Sequence, residues 1–181
     1  DAKAKIVITA DGAWRRGDIV PLKNNVDGSL ELTEYVENVI VVKRTEQEIN
    51  MTDGRDHWYH DITDKESSDC EPEVMNSEDM LYILYTSGTT AKPKGIVHTQ
   101  GGYLTGVTTT HHEVFDVKED DIYWCAADCG WVTGHSYIVY GPLANKATSV
   151  MYEGAPNAPD EKRLWSLSLI HISEPTRHDR I

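Results

Sequence analysis

The chain has 181 residues, 39% of them hydrophobic, and its 17 Lys and Arg against 30 Asp and Glu give a formal net charge of −13. That length suits one ordinary domain or part of a larger one. That charge speaks against general binding to nucleic acid or an anionic membrane surface, both of which call for clustered cations.

No apolar run approaches the roughly 18 residues of a membrane span, and no basic-then-apolar start marks a signal peptide. Three cysteines, Cys70, Cys125 and Cys129, in a chain without an export signal fit reduced thiols in a cytoplasm. The first residue is Asp1, so the native N-terminus is expected upstream. In chain order, "KIVITA" (5–10) reads as a short buried strand ended by Asp11 and Gly12. "PLKNNVDGSLELTEYVENV" (21–39) has the mixture of one helix or two, with Gly28 as a break. "VIVVKR" (39–44) is a second buried strand, and the polar, acidic residues 45–79 read as a surface excursion. "MLYILYT" (80–86) and "GIVHT" (95–99) are the next two strands, and "GGYLTGVTTTHHEVF" (101–115) is a Thr-rich helix. "DIYWCAA" (121–127), "SYIVYGPLA" (136–144) and "ATSVMYEG" (147–154) then alternate strand, helix, strand. Strands interleaved with helices imply an α/β architecture with a largely parallel sheet and flanking helices.

The densest chemistry lies in "YTSGTTAKPKG" (85–95), three hydroxyl types, two glycines and two lysines directly behind an apolar strand. A Gly-rich turn can aim several backbone N–H groups at one anion, hydroxyls add donors, and lysines neutralise charge. Hydrogen bonds to charged groups contribute roughly 1.5–3 kcal/mol each, so a handful can hold a triphosphate. The order of residues excludes a Walker loop, because Gly88 is followed by "TTAKPKG" with no Gly-Lys-Ser. Residue chemistry alone leaves a phosphate loop and a plain polar turn both open.

"YTSGTTAKPKGIVHTQGGY" resembles the signature loop of the adenylate-forming enzymes, the acyl-CoA synthetases and their relatives. "ITADGAWRRGDIVPLK", "VIVVKRT", "GRDHWYHD", "DIYWCAADCGWVTGHSYIVYGPLA" and "YEGAPN" are similar, in order and spacing, to the branch that activates acetate. The resemblance runs from near Asp1 to about Trp165 and implies an internal fragment, residues 1–166, of the family's large N-terminal AMP-binding domain. "LSLIHISEPTR" (167–177) resembles instead a translated adapter used in preparing sequencing libraries. Residues 167–181 are therefore expected to be a non-native tail, whose His171 and His178 are not ligands.

The resemblance implies a two-step reaction with ATP, Mg2+ and coenzyme A: acetate attacks the α-phosphate to give acetyl-adenylate and pyrophosphate, and the coenzyme A thiol then displaces AMP. It assigns Thr86, Ser87, Gly88, Thr89, Thr90, Lys92, Lys94 and Gly95 to the ATP phosphates, with Lys94 the catalytic cation. It places Val132 and Thr133 beside the acyl group, and Arg15, Arg16, Gly17, Asp18, Thr133 and Asn157 on coenzyme A, with Arg15 on the 3′-phosphate. "GWVTGHSY" (130–137) is expected at a strand's end, with Trp131 in the core. Two departures from the family pattern stand out. Ala91 replaces the usual Gly, at a cost on the order of 1 kcal/mol if φ is positive there. Asp18 replaces a second basic residue and would repel phosphate.

Propionate or another short carboxylate, or a non-enzymatic nucleotide- or CoA-binding fragment, are the alternatives. Cys125, Cys129 and His135, with His111 and His112, do not follow zinc-knuckle spacing, and buried free thiols are the better reading. A Cys–His nucleophile lacks a group to orient the histidine. The acidic runs "NSED" (76–79) and "KEDD" (118–121) read as solvated faces or caps before strands. The sequence implies no metal site, nucleic acid or membrane partner, leaves the oligomeric state open, and predicts that residues 1–181 alone are inactive with an exposed sheet edge.

Overall fold

A computed structural model describes residues 2–86, 93–155 and 157–171, which divide into two compact units. The first comprises Asp1–Glu71 and Glu153–Glu161 and the second Pro72–Tyr152 and Lys162–Ile181.

In the first unit the elements are β1 (Ile6–Ala10), β2 (Ala13–Arg15), β3 (Asp18–Val20), α1 (Leu22–Leu30), β4 (Asn38–Val42), β5 (Asp56–Trp58) and α2 (Tyr59–Thr63). A parallel sheet runs β1-β4-β5, with Ile6 opposite Asn38 and Val39 opposite Asp56. The centre strand carries the core, where Val39 and Val41 are fully buried. β1 pairs along one edge alone, and Ile8 is 68% exposed, so the expected buried strand has an open face. Gly28 lies within α1 and does not break it. Residues 45–79 are not a plain excursion, since they supply β5 and α2. "DHW" has no apolar run for periodicity to detect; charge pairing holds it instead. Fully buried Lys23 places Nζ 2.8 Å from Asp56 Oδ2 and 2.7 Å from Asp27 Oδ1 and donates to the Asn50 carbonyl at 3.0 Å. Arg55 Nε donates to Asp56 Oδ1 at 2.6 Å. Burial by itself would raise the Asp56 carboxyl, but Arg55 and Lys23 hold it well below the usual carboxylate range.

The second unit holds β6 (Met80–Thr86), β7 (Lys94–Thr99), α3 (Gln100–Val114), β8 (Ile122–Tyr123), α4 (Val132–Gly134), a π-helical stretch (His135–Tyr140), α5 (Gly141–Ala144), β9 (Thr148–Ser149) and α6 (Arg163–His171). β6 and β7 form an antiparallel hairpin, while β8 and β9 are parallel across the helical crossover. The acidic runs act as caps: Asn76 N–H donates to Asp79 Oδ2 at 2.7 Å before β6, and Lys118 N–H to Asp121 Oδ2 at 2.9 Å before β8. The helix expected over 136–144 begins earlier, at Val132. α6 runs across the 166/167 boundary, and Leu167 is buried. Among the described residues no helix is long and apolar enough to cross a membrane.

Candidate active site

The hairpin brings Thr86 and Lys94 directly opposite one another, so the two described ends of the segment that the resemblance assigns to phosphate are joined by a strand pair. Ser87, Gly88, Thr89, Thr90, Ala91 and Lys92 lie outside the described residues. Lys94 is exposed, and no ion pair among the described residues engages it. Gly95 pairs with Tyr85, whose ring lies where a Cβ would stand, 3.2 Å from Cζ.

Val132 and Thr133 are exposed on the first turn of α4. That turn follows an irregular stretch after Tyr123, which corrects the expectation of a strand's end: "GWVTG" continues into a helix that its Gly and β-branched residues conceal. Gly134 is buried where a Cβ would strike the Asp128–Cys129 backbone, 2.9 Å from the Asp128 carbonyl carbon. This close approach fixes the turn against the preceding stretch, and Asp128 Oδ1 accepts from Gly130 N–H at 2.8 Å. Trp131 is 70% exposed, not core, because it stands just outside the helix as its N-cap.

The residues that the resemblance assigns to coenzyme A fall in different units. β2 and β3 form a hairpin in which Arg15 faces Asp18 across the two-residue turn Arg16–Gly17. Arg16 has φ 54° and Gly17 φ 92°, the left-handed pair that such a turn needs to match strand twist. Arg15 and Arg16 are exposed, with no ion pair to a described residue. Asn157 is exposed in the same unit, in the segment that Arg44 anchors by donating from Nε to Glu153 Oε1 at 3.2 Å. Thr133 belongs to the second unit.

Two groups were missed. Asp11, read from sequence as punctuation, is fully buried. Its Oδ1 accepts from the N–H groups of Arg44 at 2.7 Å, Gly12 at 2.8 Å and Thr45 at 3.0 Å. It thereby ties the end of β1 to the loop after β4, the sheet end where α/β proteins gather ligand contacts. Burial pushes its carboxyl up, but these backbone donors outweigh burial and bring it down to about 2. The only signal was an Asp-Gly pair closing a strand. His111 is fully buried on α3, its Nδ1 3.2 Å from Asn145 Nδ2 and its Nε2 without a hydrogen-bond partner among the described residues. Burial first, and His112 second, lower its pKa, so the ring is held neutral, with Nδ1 as the acceptor.

A shallow depression of about 460 Å³ lies between β7 and α3, lined by Val97, His98, Thr99, Gly102, Tyr103, Gly106, Val107, Thr110 and Tyr137. None of the sequence-assigned residues lines it. The three cysteines are free, but Cys70 and Cys129 are exposed and Cys125 is half-buried, which corrects the buried-thiol reading: the 124–131 stretch is irregular and does not enter the core. Among the described residues no three His, Cys, Asp or Glu converge as metal ligands. Magnesium is accommodated without such a set only where the nucleotide's phosphates and water supply the oxygens.

The chain matches the family model described as "AMP-binding enzyme" over residues 1–176. It is 57% identical to an acetyl-coenzyme A synthetase of Gemmatimonas aurantiaca over 173 residues, 58% to one of Rubrobacter xylanophilus over 167 and 59% to one of Streptomyces avermitilis over 168. Each match covers 92% of this chain and 26% of the relative. The chain thus spans about a quarter of the length of the curated relatives it matches.

Proposed function

Because the chain belongs to the AMP-binding enzyme family, we propose that it is the phosphate-loop and acyl-pocket portion of an ATP-dependent acetate–CoA ligase. The observation that carries this reading is the identity of 57–59% to acetyl-coenzyme A synthetases across 92% of the chain. The reaction forms acetyl-adenylate and pyrophosphate from acetate and ATP, and then exchanges AMP for the coenzyme A thiol. It runs in the cytoplasm, where free thiols persist.

The hairpin geometry supports the role of the loop. A strand pair that clamps Thr86 to Lys94 presents one hydroxyl and one ammonium at the mouth of the segment that would hold the β- and γ-phosphates. As the bond to the α-phosphate breaks, charge accumulates on the departing pyrophosphate. An ammonium carried on a strand-paired backbone, together with backbone donors, would stabilise that charge. Mg2+ would enter on the phosphates. Val132 and Thr133 would meet the acyl group from one helical turn; a pocket wall of this kind discriminates one methylene by about 1–3 kcal/mol. Arg15 and Arg16, at and beside the Arg16–Gly17 turn, would hold the 3′-phosphate of coenzyme A, with Asp18 opposing it.

We place the domain within residues 1–166 and assign residues 167–181 to translated adapter; re-reading the source DNA through the codons for Arg163 to His171 tests that division. The function is tested by supplying the intact protein that carries this chain with ATP, coenzyme A and a panel of acetate, propionate and butyrate. Acetyl-CoA and AMP formed fastest from acetate are expected. Preference for propionate would move the substrate assignment, and ATP binding without turnover of any acid would replace the ligase by a nucleotide-binding module. Residues 1–181 alone are expected to turn over none.

A further inference from the structure

The phosphate hairpin and the acyl turn meet at one aromatic ring that neither the family roles nor the sequence reading assigned. Tyr82 sits on β6 in the strand that ends at Thr86. Its ring stacks on His135, centroids 5.2 Å apart at 20°, and on Tyr140, 6.1 Å apart at 8°. Tyr103 of α3 meets it edge-on at 5.0 Å and 87°, and His98 of β7 lies 4.9 Å away. His135 begins the π-helical stretch directly after the α4 turn that carries Val132 and Thr133.

The wide turn explains how two rings reach one partner. At 3.6 residues per turn, positions five apart point about 140° away from each other. Hydrogen bonds of the i→i+5 kind, such as Gly141 N–H to the Ser136 carbonyl, bring them toward one side. Tyr103 holds that register, its hydroxyl 2.8 Å from the buried Ser136 Oγ. The Tyr82 hydroxyl is buried beside Tyr103, and burial first and Tyr103 second raise its pKa, so it stays protonated. Among the described residues it makes no hydrogen bond of good geometry, and the ring face carries the contact with His135 and Tyr140.

We infer that Tyr82 is a positioning residue that couples ATP binding at the hairpin to acyl selectivity at Val132–Thr133, through its stack on His135 and Tyr140. Displacing β6 moves the surface on which the π-helical stretch rests, and that stretch fixes the turn presenting Val132 and Thr133. By linkage, the acyl group and ATP then alter each other's affinity by the same factor. This inference rests on the ligase reading above.

The test uses the intact protein and the variants Tyr82→Phe, Tyr82→Leu and His135→Ala. It measures KM for ATP, kcat and the ratio of acetate to propionate turnover. An aromatic stack corresponds to roughly threefold to tenfold in an equilibrium. Tyr82→Leu and His135→Ala are each expected to raise KM for ATP and to shift the acetate-to-propionate ratio by about that factor. Tyr82→Phe restores both to within about twofold of the parent. Combining Tyr82→Leu with His135→Ala is expected to add little, because both remove one shared contact. If Tyr82→Leu lowers kcat only in step with the amount of folded protein, leaving KM and the ratio unmoved, the ring is merely structural and the inference fails. His135→Ala decides the matter should Tyr82→Leu not fold: a changed ratio with an unchanged KM for ATP overturns the coupling. An inactive parent protein sinks the ligase reading and the inference together, whereas an active parent with an unmoved ratio sinks the inference alone.

Discussion

At Asp11, one carboxylate replaces what would otherwise be several unsatisfied amides. Its pKa of about 2 lies below the unfolded value of 3.8. A depressed acid contributes stability that is fully present above pH 3.8 and is lost as pH falls through about 2. The difference corresponds to roughly 2 kcal/mol. Asp11→Asn keeps the shape, loses the charge and offers the three amides a weaker acceptor. It is expected to unfold at lower denaturant concentration at pH 7 and to show a flatter stability curve between pH 4 and 2 than the parent. Asp18 is the opposite kind of residue, exposed and facing Arg15 across a turn. If that turn holds the 3′-phosphate of coenzyme A, Asp18→Arg replaces a repulsion by an attraction. KM for coenzyme A in the intact protein should fall by about fivefold or more at low salt, and the gain should shrink as salt screens it. An unchanged KM would remove the turn from the coenzyme A site.

Among the elements, the turn that carries Val132 and Thr133 depends on one atom that is not there. Gly134 is pressed on the Asp128–Cys129 backbone, so Gly134→Ala must push α4 away from its preceding stretch. Overpacking of this kind costs about 1–3 kcal/mol. The expected result is a lower melting temperature together with weakened discrimination between acetate and propionate; a variant with parental selectivity would mean that Val132 and Thr133 do not face the acid. The same segment shows which elements were legible. β6 and α3 announced themselves, one by an unbroken "MLYIL" run and the other by length. β2, β3 and β5 have three residues each, too few for a period-2 pattern, and were passed over. The start of the crossover helix was hidden because Val, Thr and Gly are poor helix formers; burial of Gly134 and the rings of His135 and Tyr140 overrode their propensity.

For the whole molecule, each unit is organised by a different kind of interaction. The first builds a polar centre beside its sheet, where Lys23 and Arg55 both pair with the same two carboxylates, Asp56 and Asp27, and the side chains of Lys23 and Asp56 are fully buried. Removing one member leaves a buried charge under-compensated. Lys23→Ala is expected to destabilise the protein by about 3–5 kcal/mol, measured by denaturant unfolding. Replacing Lys23 and Asp56 together by Met and Leu should recover a large part of that loss, and failure to recover it would mean that packing, not charge, holds β5. The second unit is held by aromatic stacking around Tyr82 and Tyr103 and around His111, whose ring meets Tyr123 edge-on at 4.5 Å.

The family and the α/β alternation were determined by the sequence itself, and the hydroxyl-, glycine- and lysine-rich segment 85–95 was visible in it. Local order and residue type carry that information: a strand, then hydroxyls, glycines and lysines in a fixed succession. The tertiary structure alone decided that Thr86 and Lys94 face each other, that Lys23 and Asp11 are buried, and that Tyr82 leans on His135, next to the turn that carries Val132 and Thr133. Most of those facts join residues tens of positions apart, Lys23 with Asp56 and Tyr82 with His135 among them. Whether a charge is buried, or a ring finds a second ring, depends on what the rest of the chain brings beside it.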